Sequence, residues 1–404
     1  MQMFSQYRGL PRQVYILCAA RAAIAAGMMF VFPFLSLLLT SHLGYSEVTA
    51  GYIITFAASF SILGALVGGK LADEIGRKKV YVFSAVVVIC TMVTAGFHVR
   101  DVLLLPCLIL AYFFVYTIMP ALSAMILDRA DGTNRSECYS LMYLCSNVGG
   151  ALGPVLAGML FYSHMEWIFF SMAAAFLMTL VPMILLVDDI HQPGLDHISK
   201  NPQQKRSRRR QASTLHIVFR TPVLLLFIVF LSLLQVCYIN LDFMLPLQLE
   251  SICGLDAGSK YSSMVWTLNA LIVIALTPTL VSFTKRNHPL LNTAIGSLLY
   301  AAGFSLYGFS NSVPVMMAAV FIWTSGEILI STCAAIYITS MLPETHKGRG
   351  MSLYEFCHNV GKLLGPVLTG YMLLFVNYNQ AWLLLSAVCL LSAVFVELLH
   401  IKRL

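Results

Sequence analysis

Apolar residues run along this chain in long blocks with no period-two alternation, broken at short intervals by polar and turn-forming residues. Blocks longer than about 18 residues satisfy their backbone internally in lipid, which predicts membrane helices and excludes a β-barrel. The blocks are Val14 to Thr40, Val48 to Leu71, Val80 to His98, Val102 to Leu127, Cys138 to Tyr162 and Trp167 to Val187. After a polar stretch come Pro222 to Leu249, Tyr261 to Phe283, Leu290 to Tyr307, Val313 to Leu342, Met351 to Val376 and Ala381 to Leu399. The expectation is an all-α membrane protein of twelve spans in two sets of six. Residues 1–187 form an N-terminal six-helix bundle, 188–221 a linker and 222–404 a C-terminal six-helix bundle. The linker contains Pro193 and Pro202, which break a long helix, and the basic cluster Lys205, Arg206, Arg208, Arg209 and Arg210. That cluster reads as a solvated tether or as a contact for anionic lipid. The run after MQMFSQYRGLPRQ is too long for a signal-peptide core and is expected to remain as the first span.

The second half repeats the first. Ser146 to Gly158, SNVGGALGPVLAG, returns 212 positions later as His358 to Gly370, HNVGKLLGPVLTG. Gly149, Gly153 and Gly158, and their equivalents Gly361, Gly365 and Gly370, leave a stripe without side chains where a neighbouring helix can approach. Pro154 and Pro366 each remove a backbone donor and are expected to bend their helices.

Composition changes the picture little but excludes several classes. With 59% hydrophobic and 11% charged residues, the chain lies far from soluble proteins, where about a quarter are charged. The net charge of +7 does not point to nucleic acid, because its placement follows membrane topology. With the N-terminus inside, Lys70, Arg77, Lys78, Lys79, Arg129, Arg135, the linker, Lys285, Arg286, Lys347, Arg349, Lys402 and Arg403 share one side. The other side keeps Arg100 and Lys260, which predicts both termini in the cytoplasm. Ten cysteines, with no C-x-x-C, read as small core residues; no metal and no cofactor is expected. Gly64 to Leu71, GALVGGKL, lacks the Ser or Thr of a phosphate loop and the strand before it, so nothing suggests ATP hydrolysis.

The turn between spans two and three reads GKLADEIGRKK, Gly69 to Lys79. Gly69 and Gly76 would permit a tight reversal, Asp73 could accept from a helix N-terminus, and Arg77 could pair with Asp128 at the end of span four. This turn resembles the signature of the major facilitator superfamily, and the six-plus-six layout extends the resemblance over the whole chain. The Gly-Pro stretch of span five is similar to that of the drug/proton antiporter branch. Glu74 departs from the pattern, where many members carry Arg, and span four lacks the membrane Arg of many drug antiporters. The resemblance implies a major facilitator fold in a plasma (inner) membrane, with Gly69, Asp73, Gly76, Arg77, Lys78 and Asp128 in gating roles.

Charges within spans cost roughly 2.5–3.5 kcal/mol each at a helix centre and must face water or a partner. Arg21, Asp242 and Glu327 lie in spans one, seven and ten. The resemblance places those spans around a central cavity. Glu355, His358 and Lys362 follow at i, i+3 and i+7 on one face of span eleven, where the first copy has Tyr143, Ser146 and Gly150. Pairing of Glu355 with Lys362, or of Arg21 with an acid, is the alternative reading. His358 is also a candidate proton carrier. Tyr143, Tyr238 and Trp323 are the candidate aromatic cavity residues.

The resemblance implies alternating-access transport, not an enzyme: the sequence offers no nucleophile-base pair. The expected activity is proton-coupled efflux of small amphiphilic or drug-like molecules, with protons carried through Asp242, Glu327 and Glu355. Export of a specific zwitterionic metabolite, such as an amino-acid-derived metal chelator or a sugar-like solute, and proton-coupled uptake are the alternatives. The expected partners are a small-molecule substrate, protons and the lipid bilayer, with the chain a monomer.

Overall fold

The computed structural model describes residues 9–130, 135–189, 218–284, 286–342 and 347–401. The described secondary structure is helical. We number the membrane-length helices α1 (Arg12–Val31, continued after a break to His42), α2 (Glu47–Ile75), α3 (Arg77–Phe97), α4 (Leu104–Asp128), α5 (Arg135–Ser163) and α6 (Glu166–Leu186). In the second half they are α7 (Pro222–Tyr238 and its continuation to Gly254), α8 (255–284), α9 (Pro289–Phe309), α10 (Val313–Ser340), α11 (Lys347–Met372) and α12 (Tyr378–Ile401). By length and apolarity alone, nine described helical stretches qualify as spans. Two circumstances account for the difference from twelve. Pro222–Thr284 counts as one stretch although Gly254, at φ 79°, divides it, and the more polar, glycine-containing α5 and α11 are not among the nine.

The sequence explains where most helices start and stop. Pro222, Pro289 and Pro314 sit in first turns, where a missing N–H costs nothing. Pro33 interrupts α1 with a 3-10 turn over Phe32–Phe34. Gly76, at φ 107°, makes the reversal between α2 and α3, a backbone conformation that favours glycine. Two expectations need correction. Gly69 does not shape that reversal: helical hydrogen bonding persists to Ile75, so Gly69 lies inside α2. Spans seven and eight do not end at Leu249 and begin at Tyr261, because the helix runs through 250–260 apart from Gly254. There the Lys260 ammonium lies 2.8 Å from Asp256, one turn away.

The described residues fold as two compact units. One holds residues up to Leu43, 56–189 and Ser262–Ala270; the other holds Gly44–Thr55, 218–261 and residues from Leu271 onward. In the second unit, the first turns of α2 lie beside α11 and α12: Tyr378 donates to Glu47, Tyr52 and Tyr371 share a hydrogen bond, and a Cβ at Gly51 would sit 2.6 Å from the Pro366 carbonyl oxygen. The basic linker cluster at 205–210 lies outside the described residues. No disulfide joins the ten cysteines, and seven of them are buried.

Glycines set the closest helix approaches in each unit. In the first, a Cβ at Gly153 would lie 2.5 Å from the Ala26 carbonyl oxygen, and one at Gly149 would strike Ala22, so α5 lies on α1. In the second, a Cβ at Gly361 would lie 2.5 Å from the Gln235 carbonyl oxygen, and one at Gly365 would strike Ile239, so α11 lies on α7 in the same manner. Gly370 faces Glu47 instead, and the side-chain environment around Gly158 lies outside the described set. Pro154 and Pro366 both lie inside their helices. Gly64 and Gly68 of the phosphate-loop-like stretch abut Phe113 and Thr117, and the Thr117 hydroxyl donates to the Gly64 carbonyl at 3.1 Å. Those glycines let α4 approach α2, a packing role.

Candidate functional site

The second unit carries a polar cluster between apolar helices. α7 presents Gln235, Tyr238 and Asp242 at i, i+3 and i+7, one face of a helix. The Tyr238 hydroxyl donates to Glu327 Oε1 of α10 at 3.1 Å. Its ring stacks on Tyr300 of α9, with centroids 5.9 Å apart, and meets the edge of Trp323 at 6.3 Å. Trp323 is fully buried and its indole N–H donates to the Tyr307 hydroxyl at 2.8 Å. It therefore acts on the cluster by fixing the Tyr238 ring. Asp242 has Lys362 of α11 and Glu327 as its charged neighbours.

From α11, His358 Nδ1 lies 3.0 Å from Gln235 Oε1. A carbonyl oxygen only accepts, so Nδ1 donates there. Lys362 is the charged neighbour of His358 as well as of Asp242. Glu355, one turn before His358 on α11, is exposed, whereas His358 and Lys362 are half-buried. The second unit thus brings together Tyr238, Asp242, Glu327, His358 and Lys362, with Trp323 behind them. To these it adds Gln235 and Tyr300, which sequence reasoning missed. Gln235 had a detectable signal in its spacing to Tyr238 and Asp242; Tyr300 had none.

Arg21 belongs to the first unit. Its Nε donates to Ser146 of α5 at 2.9 Å and its Nη1 to Ser123 of α4 at 3.2 Å. Hydroxyls are therefore among its partners, where an acid was the alternative reading. Tyr143, on α5, is half exposed, and its carbonyl accepts from Asn147.

The GKLADEIGRKK stretch builds a network at its end of the first unit. Arg77, at the start of α3, forms an ion pair with Asp128 at the end of α4 and reaches the Ala124 carbonyl at 3.4 Å. Lys78 donates to the carbonyls of Ile184 and Val187, at 3.0 and 2.7 Å, capping the end of α6. Asp73 is exposed. Arg129, which topology reasoning left as a mere basic residue, is 9% exposed and joins three elements. It donates to Gln13 Oε1 at 2.6 Å, to the Met125 carbonyl at 2.9 Å and to the Asp188 carbonyl. Burial lowers its pKa, and the Asp188 and Asp189 carboxylates oppose that shift. Among the described residues, no three metal-binding side chains come together.

The Major Facilitator Superfamily profile matches residues 17–361 and 294–403, and the chain belongs to that superfamily. It is 25% identical to the MFS-type transporter YqjV of Bacillus subtilis (strain 168) over 84% of this chain and 80% of that protein. It is 20% identical to a Na(+), Li(+), K(+)/H(+) antiporter of Planococcus maritimus, covering 83% and 84% of the two chains. Against the multi-drug resistance efflux pump PmrA homolog of Lactococcus lactis it is 23% identical over 92% and 90%. Among solved structures, peptide transporter POT in complex with sulfate superposes with a TM-score of 0.79 at 15% identity over 98% and 96%. A POT family transporter in complex with 5-aminolevulinic acid gives 0.81 at 13% over 98% and 97%. At such identities these likenesses speak for the fold alone. The protein is a multi-pass membrane transporter of major facilitator fold.

Proposed function

We propose that this transporter exports small amphiphilic or drug-like molecules in exchange for protons. The observation that carries the reading is the Tyr238 hydroxyl on Glu327, with Asp242 acted on by both Glu327 and Lys362. Two carboxylates stand there near one ammonium. A carboxylate can receive either a proton or a cationic solute, and the two then compete. Competition for one charge, combined with alternating access, yields exchange. Tyr238 and Tyr300 supply the aromatic faces that a lipophilic cation would meet. The relatives that are an antiporter and a multidrug pump homologue support the same reading.

In this proposal the bundles are residues 1–187 and 222–404, the linker is 188–221, and both termini lie in the cytoplasm of a cell whose plasma (inner) membrane holds the protein as a monomer. The ion pair Arg77–Asp128, with Asp73 and Lys78 beside it in sequence, acts as a gate without touching substrate. A second reading, export of one zwitterionic metabolite, is favoured by Lys362 beside Asp242, since opposite charges would receive both ends of such a solute. The test is stabilisation of the purified protein by lipophilic cations or by zwitterionic chelators at two pH values. Stabilisation by cations, stronger at the higher pH, supports proton exchange with amphiphiles. Stabilisation by zwitterions alone selects the second reading, and stabilisation by neither contradicts both.

A further inference from the structure

Between α9 and α12, lined by residues that take no part in the cluster just described, lies a cavity of about 320 Å³. A volume of that size lies in the range of small-ligand sites. Leu291, Ala294 and Leu298 form one wall, Val394 and Leu398 the other, and Glu397 supplies the carboxylate. Leu298, Val394 and Leu398 are exposed, at 47%, 51% and 42%, and apolar side chains exposed on a membrane span face hydrocarbon. The cavity is therefore open to lipid.

Its polar end has an unused acceptor. Glu397 Oε1 lies 3.2 Å from His400 Nδ1, whereas Oε2 is buried and, among the described residues, has no hydrogen-bond partner. A buried carboxylate oxygen left so is costly, and a donor from outside the chain would relieve the cost. The His400 ring stacks on His288, centroids 5.2 Å apart, where α9 begins and α12 ends. The exposed Arg286 stands two residues before His288. At 1.5 Å per residue, Leu291 to Leu298 occupy roughly the first 3 to 14 Å of α9, about the depth of one leaflet's hydrocarbon.

We propose that this groove binds a phospholipid with a primary-ammonium head, phosphatidylethanolamine, from the leaflet at that end of the helices. One acyl chain lies along Leu291, Leu298 and Val394, the ammonium donates to Glu397 Oε2, and Arg286 stands on the phosphate side. Charge complementarity selects this occupant: a carboxylate repels an anionic head, and a quaternary ammonium offers no N–H to an unpaired oxygen. With the orientation proposed above, the leaflet is the cytoplasmic one.

The test is native mass spectrometry of the full chain after reconstitution in vesicles of equal phosphatidylethanolamine and phosphatidylglycerol. Because both leaflets carry both lipids, the result does not depend on orientation, which cysteine accessibility would check separately. The expected result is one phosphatidylethanolamine retained per chain, with Glu397→Gln lowering its retention relative to phosphatidylglycerol about tenfold, the scale of one charge-assisted hydrogen bond. Leu298→Trp, which narrows the groove from the lipid side, should lower retention while leaving the monomer's thermal stability unchanged. Equal retention of the two lipids, or a preference unchanged in both variants, would overturn the proposal. So would a dimer abolished by Leu298→Trp that retains no lipid, because a second copy would then be the occupant.

Discussion

His358 Nδ1 donates to Gln235 Oε1 at 3.0 Å, a bond from α11 to α7 in the second half, where in the first half Arg21 of α1 donates to Ser146 of α5. His358 is the duplicate of Ser146, 212 positions on, and one turn away the paired glycines Gly149 and Gly361 seat α5 on α1 and α11 on α7. The duplicated frame has thus been given a guanidinium in one copy and an imidazole beside an ammonium in the other. If His358 orients the cluster and does not carry the coupled proton, His358→Gln should keep pH-driven flux and weaken substrate binding about three- to tenfold, the value of one neutral hydrogen bond. A flux assay at two pH gradients checks this, and loss of gradient drive in His358→Gln would assign the proton to His358.

The glycine seats give a stability prediction. A Cβ at Gly361 would meet the Gln235 backbone, whereas one at Gly150 would meet nothing within 4 Å. Gly361→Ala should therefore lower thermal stability by about 1–3 kcal/mol, as overpacking does, while Gly150→Ala should not lower it. Thermal unfolding in detergent of both variants checks the contrast.

Much of this frame was legible in the sequence. The repeat of SNVGGALGPVLAG exposed the glycine seats because only a small residue fits a close helix approach, and intramembrane charges at Asp242 and Glu327 were conspicuous by their cost. Gln235 was passed over because a single amide within LLQVCY carries no charge, and its partner stands 123 residues away. Arg129 was passed over for the opposite reason. A basic residue at the end of a span satisfies the topology rule, so nothing linear distinguishes a solvated arginine from one that joins Gln13, Met125 and Asp188. Trp323 was one candidate aromatic of the cavity, and only the packing shows its indole N–H turned to Tyr307.

The charged network at the Gly76 turn separates two kinds of ion pair. Arg77 is 14% exposed and Asp128 35%, whereas Lys70 and Glu74, 3.8 Å apart, are 77% and 52% exposed. Asp128→Asn should cost about 1–2 kcal/mol of stability after allowance for partial solvent screening, and Glu74→Gln less than about 0.5 kcal/mol. If the Arg77 pair is a gate, Arg77→Ala should also lower transport turnover while leaving ligand binding within about twofold. Binding and flux measured on the same preparation decide this, and unchanged turnover in inserted protein would refute the gating role.

Arg129 uses its planar fork in three directions, which an ammonium cannot reproduce. Both Arg129→Ala and Arg129→Lys should therefore destabilise the first unit, by about 2 kcal/mol or more for Ala, and increase protease cutting between Val187 and Asp189. Limited proteolysis with mass mapping reads this directly; an Arg129→Lys variant as resistant as the parent would contradict it.

The most direct measurement is proton movement in proteoliposomes with an internal pH dye, on addition of tetraphenylphosphonium, comparing the parent chain with Glu327→Gln. The parent should move protons against the lipophilic cation, and Glu327→Gln should still bind the cation while its proton flux falls to the level of empty vesicles. Proton flux in Glu327→Gln equal to that of the parent would contradict exchange at the Tyr238–Glu327–Asp242 cluster.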